Sequence, residues 1–156
     1  MAFFKKRKSE PPISAGPPPS DDPWDRYEAL SAQRPDTLSD SARQLVAIGS
    51  LRTEVNNGGF HQYLFNSGGD LAMDALAAAS SLGIEGLASL IERALGLLNG
   101  QYSADRDRRQ DAMETLDNDE DFEGLDEEFY ALEQSADLDD AMSLLAQRTQ
   151  LPDCGR

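Results

Sequence analysis

The chain has 156 residues, 39% of them hydrophobic, and a formal net charge of −15 from 29 acids against 14 bases. That length fits one domain with a terminal tail. The charge argues against direct nucleic-acid binding, which needs a basic footprint to neutralise phosphates. One cysteine, Cys154, and one histidine, His61, exclude a disulfide framework or a cysteine-based zinc site and leave few nucleophile or proton-shuttle options.

Residues 1–21 read as a disordered tail. The stretch from Glu10 to Ser20 is proline-rich and nearly free of large apolar groups, so it buries too little surface to offset its ordering entropy. The patch Lys5-Lys6-Arg7-Lys8, beside Phe3 and Phe4, gives at most weak, reversible contact with an anionic membrane. No apolar h-region follows it and no apolar run reaches about 18 residues, so neither a secretory signal nor a transmembrane helix is expected, and cytoplasmic residence is the default.

A helical domain is expected from 22 to 151, with a short tail at 152–156. Asp22 is an N-cap before Pro23 at the first helical position, Trp24, Tyr27 and Leu30 make one apolar face, and Pro35 closes this helix. Leu45, Ile48, Leu51 and Val55 recur at helical spacing, predicting a helix from Ser39 to Asn56 that Asn56-Asn57-Gly58-Gly59 ends. A short helix from Phe60 to Asn66 follows, with Phe60, Leu64 and Tyr63 facing inward, and Ser67-Gly68-Gly69 breaks it. Leu71 to Leu82 and Ile84 to Leu98 predict a tight antiparallel pair, stopped by Gly83 and by Asn99-Gly100. A helix from Asp105 to Leu116 is followed by the charged loop Asp117-Asn118-Asp119-Glu120-Asp121. Leu125, Phe129, Leu132 and Ala136 then mark one helix, and Leu138, Ala141, Met142 and Leu145 mark the last, with Asp137 as candidate N-cap. No segment alternates with period two. The fold class is therefore all-α, a compact domain of seven or eight helices behind a disordered N-terminal tail.

The charge is localised. Residues 105 to 140 hold 16 of the 29 acids and only Arg106, Arg108 and Arg109 as bases, a net of −13 against −2 for the rest of the chain. As helix, 36 residues span about 54 Å, one carboxylate per about 3.4 Å, close to the axial charge spacing of one DNA strand. Two readings stand: a solvated acidic face, or a surface offering negative charge at near-nucleic-acid density. The partner-binding candidates are Asp117, Asp119, Glu120, Asp121, Glu123, Asp126, Glu127 and Glu128.

A calcium loop is also weighed. Asp117, Asp119 and Asp121 occupy positions 1, 3 and 5 of an EF-hand pattern and Glu128 position 12, but Phe122 stands where the loop needs glycine, and Gly124 comes two residues late. His61 reads as a residue capping or bridging helices, and Asn56, Asn57, Gln62 and Asn66 as side chains satisfying exposed helix ends. The paired glycines fit no phosphate loop. No catalytic residue, metal site or cofactor is singled out. The alternatives to a non-enzymatic acidic binding protein are a metal-dependent enzyme using clustered carboxylates, and an acidic helical module that binds protein through an apolar patch.

The stretch from Glu54 to Gly69, carrying Asn56, Asn57, Gly58, Gly59, Phe60, Gln62 and Asn66, resembles the signature of the bacterial DNA-mimic-protein domain family, many of whose members have no assigned function. Leu125-Asp126-Glu127-Glu128-Phe129-Tyr130 resembles that family's C-terminal helix, and the likeness covers about residues 38 to 150. The resemblance implies an all-α fold and a homodimer. It also implies an acidic surface that imitates the DNA backbone and occupies a basic DNA-binding protein of the transcription-factor or nucleoid type, without direct nucleic-acid binding or stable membrane association. The Asn-Asn-Gly-Gly-Phe motif itself reads as structural, so matching it secures the fold and not the mimicry.

Overall fold

A computed structural model describes residues 21–116 and 119–150, with only the backbone of Asp119 and Gln150. The expected tails, up to Ser20 and at 152–156, lie outside the described residues, as do Asp117 and Leu151. The described residues are all-α: α1 Pro23–Ser31, α2 Asp40–Phe65, α3 Ala72–Ser81, α4 Glu85–Gly96, α5 Arg106–Glu114, α6 Asp119–Glu133 and α7 Asp137–Gln150, with short 3-10 turns at Pro35–Thr37 and Ser67–Leu71.

Local chemistry sets the helix starts. Asp22 accepts from the backbone N–H of Trp24 at 2.7 Å, ahead of Pro23. Ser39 caps α2 through Ala42 N–H at 3.2 Å, and Asp105 caps α5 through Arg108 N–H at 3.0 Å. α1 ends at Ser31, four residues before Pro35, which opens a 3-10 turn instead of closing the helix. Tyr27 and Leu30 pack against the core while Trp24 stays 36% exposed.

Helix α2 is the spine, packed by α1, α3, α5, α6 and α7, while α4 lies on α3 and α6. Its Leu45, Ile48, Leu51, Val55, Phe60 and Leu64 are fully buried, and Phe122, Phe129, Leu138, Met142 and Leu145 meet them from α6 and α7. Burial of this apolar surface is the main stabilising term.

The expected stop holds: Gly58 and Gly59 are non-helical and divide α2, at a bend, into two helical halves, the second starting at Phe60 as expected. Two other expectations need correction. Asp119-Glu120-Asp121 is not a loop but the first turn of α6, where acids complement the positive end of the helix dipole. Asp137 is the first residue of α7 and not its cap; Ser135 Oγ accepts from its backbone N–H at 3.3 Å, and Ala136 lies in the turn instead of in α6.

The bend depends on Gly59, whose φ of 84° and ψ of 177° belong to a region open almost only to glycine. A Cβ there would also collide with the Asp126 carboxylate. Gly124, in the exposed middle of α6, has nothing within 4 Å of where its Cβ would stand. We expect Gly59→Ala to cost about 2–3 kcal/mol or more and Gly124→Ala to add about 0.5–1 kcal/mol, both read by urea denaturation. Equal effects at the two positions would contradict the assignment of the strain to Gly59.

Candidate functional site

A helix broken at Gly58 and Gly59 leaves backbone groups without intrahelical partners on both sides of the break. Helix α6 supplies them. Asp126 Oδ1 accepts from the Phe60 backbone N–H at 2.7 Å, capping the second half of α2. The Tyr130 hydroxyl donates to Val55 O at 3.2 Å, at the end of the first half. Glu133 accepts from Asn56 Nδ2 at 3.1 Å. Phe129 meets Phe60 edge-on at 5.9 Å, and Phe122 meets His61 at 5.6 Å. Asp126, Phe129, Tyr130 and Glu133 stand at i, i+3, i+4 and i+7, one face of a helix. His61, also stacked on Phe65 at 6.1 Å, bridges α2 to α6 as expected.

The motif amides do something other than cap helix ends. Gln62 Nε2 and Asn66 Nδ2 both donate to Glu54 Oε1, at 2.8 and 3.1 Å, so a carboxylate within α2 holds the second half of the helix to the first. Asn57 is exposed.

Sequence reasoning missed two buried arginines. Arg109 is 0% exposed and donates to Leu64 O, to Ser103 O at 2.7 Å, to Asn66 O at 2.8 Å and to Asp70 Oδ1 at 2.7 Å. It thereby satisfies carbonyls at the C-terminal end of α2, and Gly69 lets it approach, since a Cβ there would stand 2.8 Å from Arg109 Nε. Arg52, 6% exposed, grips Glu133 with two bonds of 2.6 and 2.8 Å, reaches Asp139 at 3.0 Å and lies 5.2 Å from the Trp24 ring. The signal was available: Arg109, Ala112 and Met113 share one stripe, as do Leu45, Ile48 and Arg52, so each arginine occupies an apolar position.

The acids of 105–140 therefore sort into two sets. Asp105, Asp126, Glu133 and Asp139 hold the fold, and Glu128 pairs with Arg93 at 2.7 Å, which keeps its carboxyl below the usual range. Glu120, Asp121, Glu123 and Glu127 on α6 are exposed, and their carboxylates have no ion pair or hydrogen bond with any described residue. Glu120, Glu123 and Glu127 fall at i, i+3 and i+7 on the face opposite buried Phe122, Leu125 and Phe129. With Asp121, they span about 10 Å of axis, about one charge per 3.5 Å. Asp107, Asp111 and Glu114 on α5, and Asp137 and Asp140 at the start of α7, are likewise exposed. Among the expected binding acids, Asp126 is thus turned inward, Glu128 is paired, and Asp117 and the Asp119 side chain lie outside the described residues.

The EF-hand pattern does not form its loop, because Asp119 to Glu128 is continuous helix with Phe122 buried in the core. Among the described residues no group of three or more His, Cys, Asp or Glu is placed to hold a metal ion, and no helix is long and apolar enough to cross a membrane.

An all-helical domain built on a bent helix, with a row of carboxylates that no described residue neutralises, is the class of protein that fold and surface define. The chain belongs to the DMP19-like protein family, whose model matches residues 36–148. No curated protein and no solved structure matches it.

Burial is the largest influence on Asp126 and pushes its carboxyl above the ordinary range, against the lowering effects of the Phe60 N–H and of His61. A carboxyl raised in the folded state stabilises at low pH, and that contribution is lost as pH rises through its folded value. We expect Asp126→Asn, whose amide oxygen still accepts from Phe60, to remove this pH dependence and stay within about 1 kcal/mol of the parent at neutral pH. Asp126→Ala, which leaves the N–H unpaired, should cost about 1–3 kcal/mol. Chemical denaturation across pH checks this; an Asn variant as unstable as the Ala variant would contradict it.

Proposed function

We propose that the chain is a non-enzymatic, cytoplasmic binding protein that occupies a basic DNA-binding protein of the transcription-factor or nucleoid type. The contact is made by the outward carboxylates Glu120, Asp121, Glu123 and Glu127 of α6, extended toward Asp117 and Asp119. One observation carries this reading: the described cations that meet α6 acids, Arg52 and Arg93, engage Glu133 and Glu128, which leaves the outer row unneutralised. Membership of the DMP19-like family supports it, because the resemblance to DNA-mimic domains implies an acidic surface that imitates DNA, and a dimer. The mechanism is charge complementarity: a row of carboxylates at near-phosphate spacing displaces DNA from a basic groove, and bound counterions are released as the surfaces meet.

The test is capture of partners from a lysate followed by competition with duplex DNA. The partners should be DNA-binding proteins, and DNA should displace them. Reversing Glu120, Glu123 and Glu127 to Lys should weaken binding by about tenfold or more, roughly 1.4 kcal/mol, with helicity unchanged by circular dichroism. Glu28→Lys with Asp36→Lys, both outside α6, should have a smaller effect per charge. Partners that bind no nucleic acid, or a complex that excess duplex leaves intact, would favour a contact through apolar surface instead.

A further inference from the structure

A second surface lies beside α7. Leu82, Gly83 and Ile84, at the turn between α3 and α4, line an open groove together with Asp137, Asp140, Ala141 and Leu144 of α7. Leu144 is 40% exposed there. The Asp137 and Asp140 carboxylates make no ion pair with any described residue. The groove thus combines apolar side chains with two carboxylates.

We propose that this groove is the docking site of the chain's own N-terminal segment Phe3-Phe4-Lys5-Lys6-Arg7-Lys8, the aromatic rings lying on Leu82, Ile84 and Leu144 and the cations against Asp137 and Asp140. The match is one of composition: every lysine of the chain is in this run, and two aromatic side chains precede it. The geometry of attachment also fits. Trp24, at the start of α1, lies 5.2 Å from Arg52, and Arg52 pairs at 3.0 Å with Asp139, which stands between Asp137 and Asp140 in the first turn of α7. The segment therefore joins the fold beside the groove. Residues 9–20 separate the two, and at the polyproline rise of about 3.1 Å per residue they reach at most about 37 Å, against about 14 Å for the radius of gyration of a compact domain of this size. A second copy of the chain is a poorer occupant, because a symmetric contact would set the same carboxylates against each other. The proposal holds whether or not α6 faces a DNA-binding protein.

A spin label on the full-length chain tests it, attached at Ser9→Cys in a Cys154→Ser background, with amide signal loss as the readout and no partner present. Loss should concentrate at residues 82–84 and 137–144. It should fall away at about 1 M salt, where screening acts within about 3 Å, and in the Phe3→Ala, Phe4→Ala variant. Uniform loss or none would overturn the proposal. So would loss centred on 120–127, or loss at the groove that the Phe variant leaves unchanged, since either reports charge attraction without the groove. Loss on isotope-labelled chains mixed with separately spin-labelled chains would assign the groove to a second copy and overturn it as well.

Discussion

The break at Gly58 and Gly59 is the constraint on which the rest of the structure depends. A straight α2 would carry its apolar stripe past the core; the bent one turns Phe60, Tyr63 and Leu64 back into it, all at most 1% exposed. The bend leaves polar backbone groups that must find partners in a largely apolar surrounding. Helix α6 supplies a carboxylate, a hydroxyl and two aromatic edges on one face, so its inward register is fixed by the bend. Its outward register follows, because a helix whose buried residues recur at i, i+3 and i+4 must place what lies between them in water. The acid row Glu120, Glu123, Glu127 is positioned by the same geometry that closes the bend.

The arginines complete this separation. Arg52 and Arg109 are spent inside, each on several acceptors, where removing one partner would strand a buried charge. Arg43 pairs with Asp74 and Arg106 with Asp70, none of them a residue of α6. The result is a domain in which Arg43, Arg52, Arg106 and Arg109 serve the architecture while much of the carboxylate surplus faces solvent. Such a surplus destabilises the compact state through self-repulsion, and an opposing basic surface would relieve it.

Much of the fold was legible in the sequence because it rests on local chemistry. Asp22, Ser39 and Asp105 cap helices as their side chains dictate, and Gly83 follows the cap of α3 with a φ of 75°. Helix α4 ends at Gly96, short of the expected stop, and Asn99 and Gly100, with φ of 54° and 79°, close the turn after it. Asn-Asn-Gly-Gly reads as a stop and does break the helix at Gly58 and Gly59. What the sequence hides is non-local: the groups that close the break come from α6, more than sixty residues away. Asp119 to Asp121 reads as a loop because its charge hides the fact that Phe122 and Leu125 anchor the same turn. The acidic candidates formed one class in the sequence; tertiary contacts divide them, turning Asp126 inward and tying Glu128 to Arg93 while leaving Glu120, Asp121, Glu123 and Glu127 free of such partners among the described residues.

The central claim is that the outer carboxylates of α6 stand in for DNA phosphates, and salt dependence tests it most directly. The affinity of the full-length protein for a captured partner would be measured from about 50 to about 200 mM salt. The account predicts a linear fall of log affinity with log salt concentration, with a shallower slope once Glu120, Glu123 and Glu127 are replaced by Gln. An affinity that does not change over that range, or a slope that the three replacements leave untouched, would contradict it.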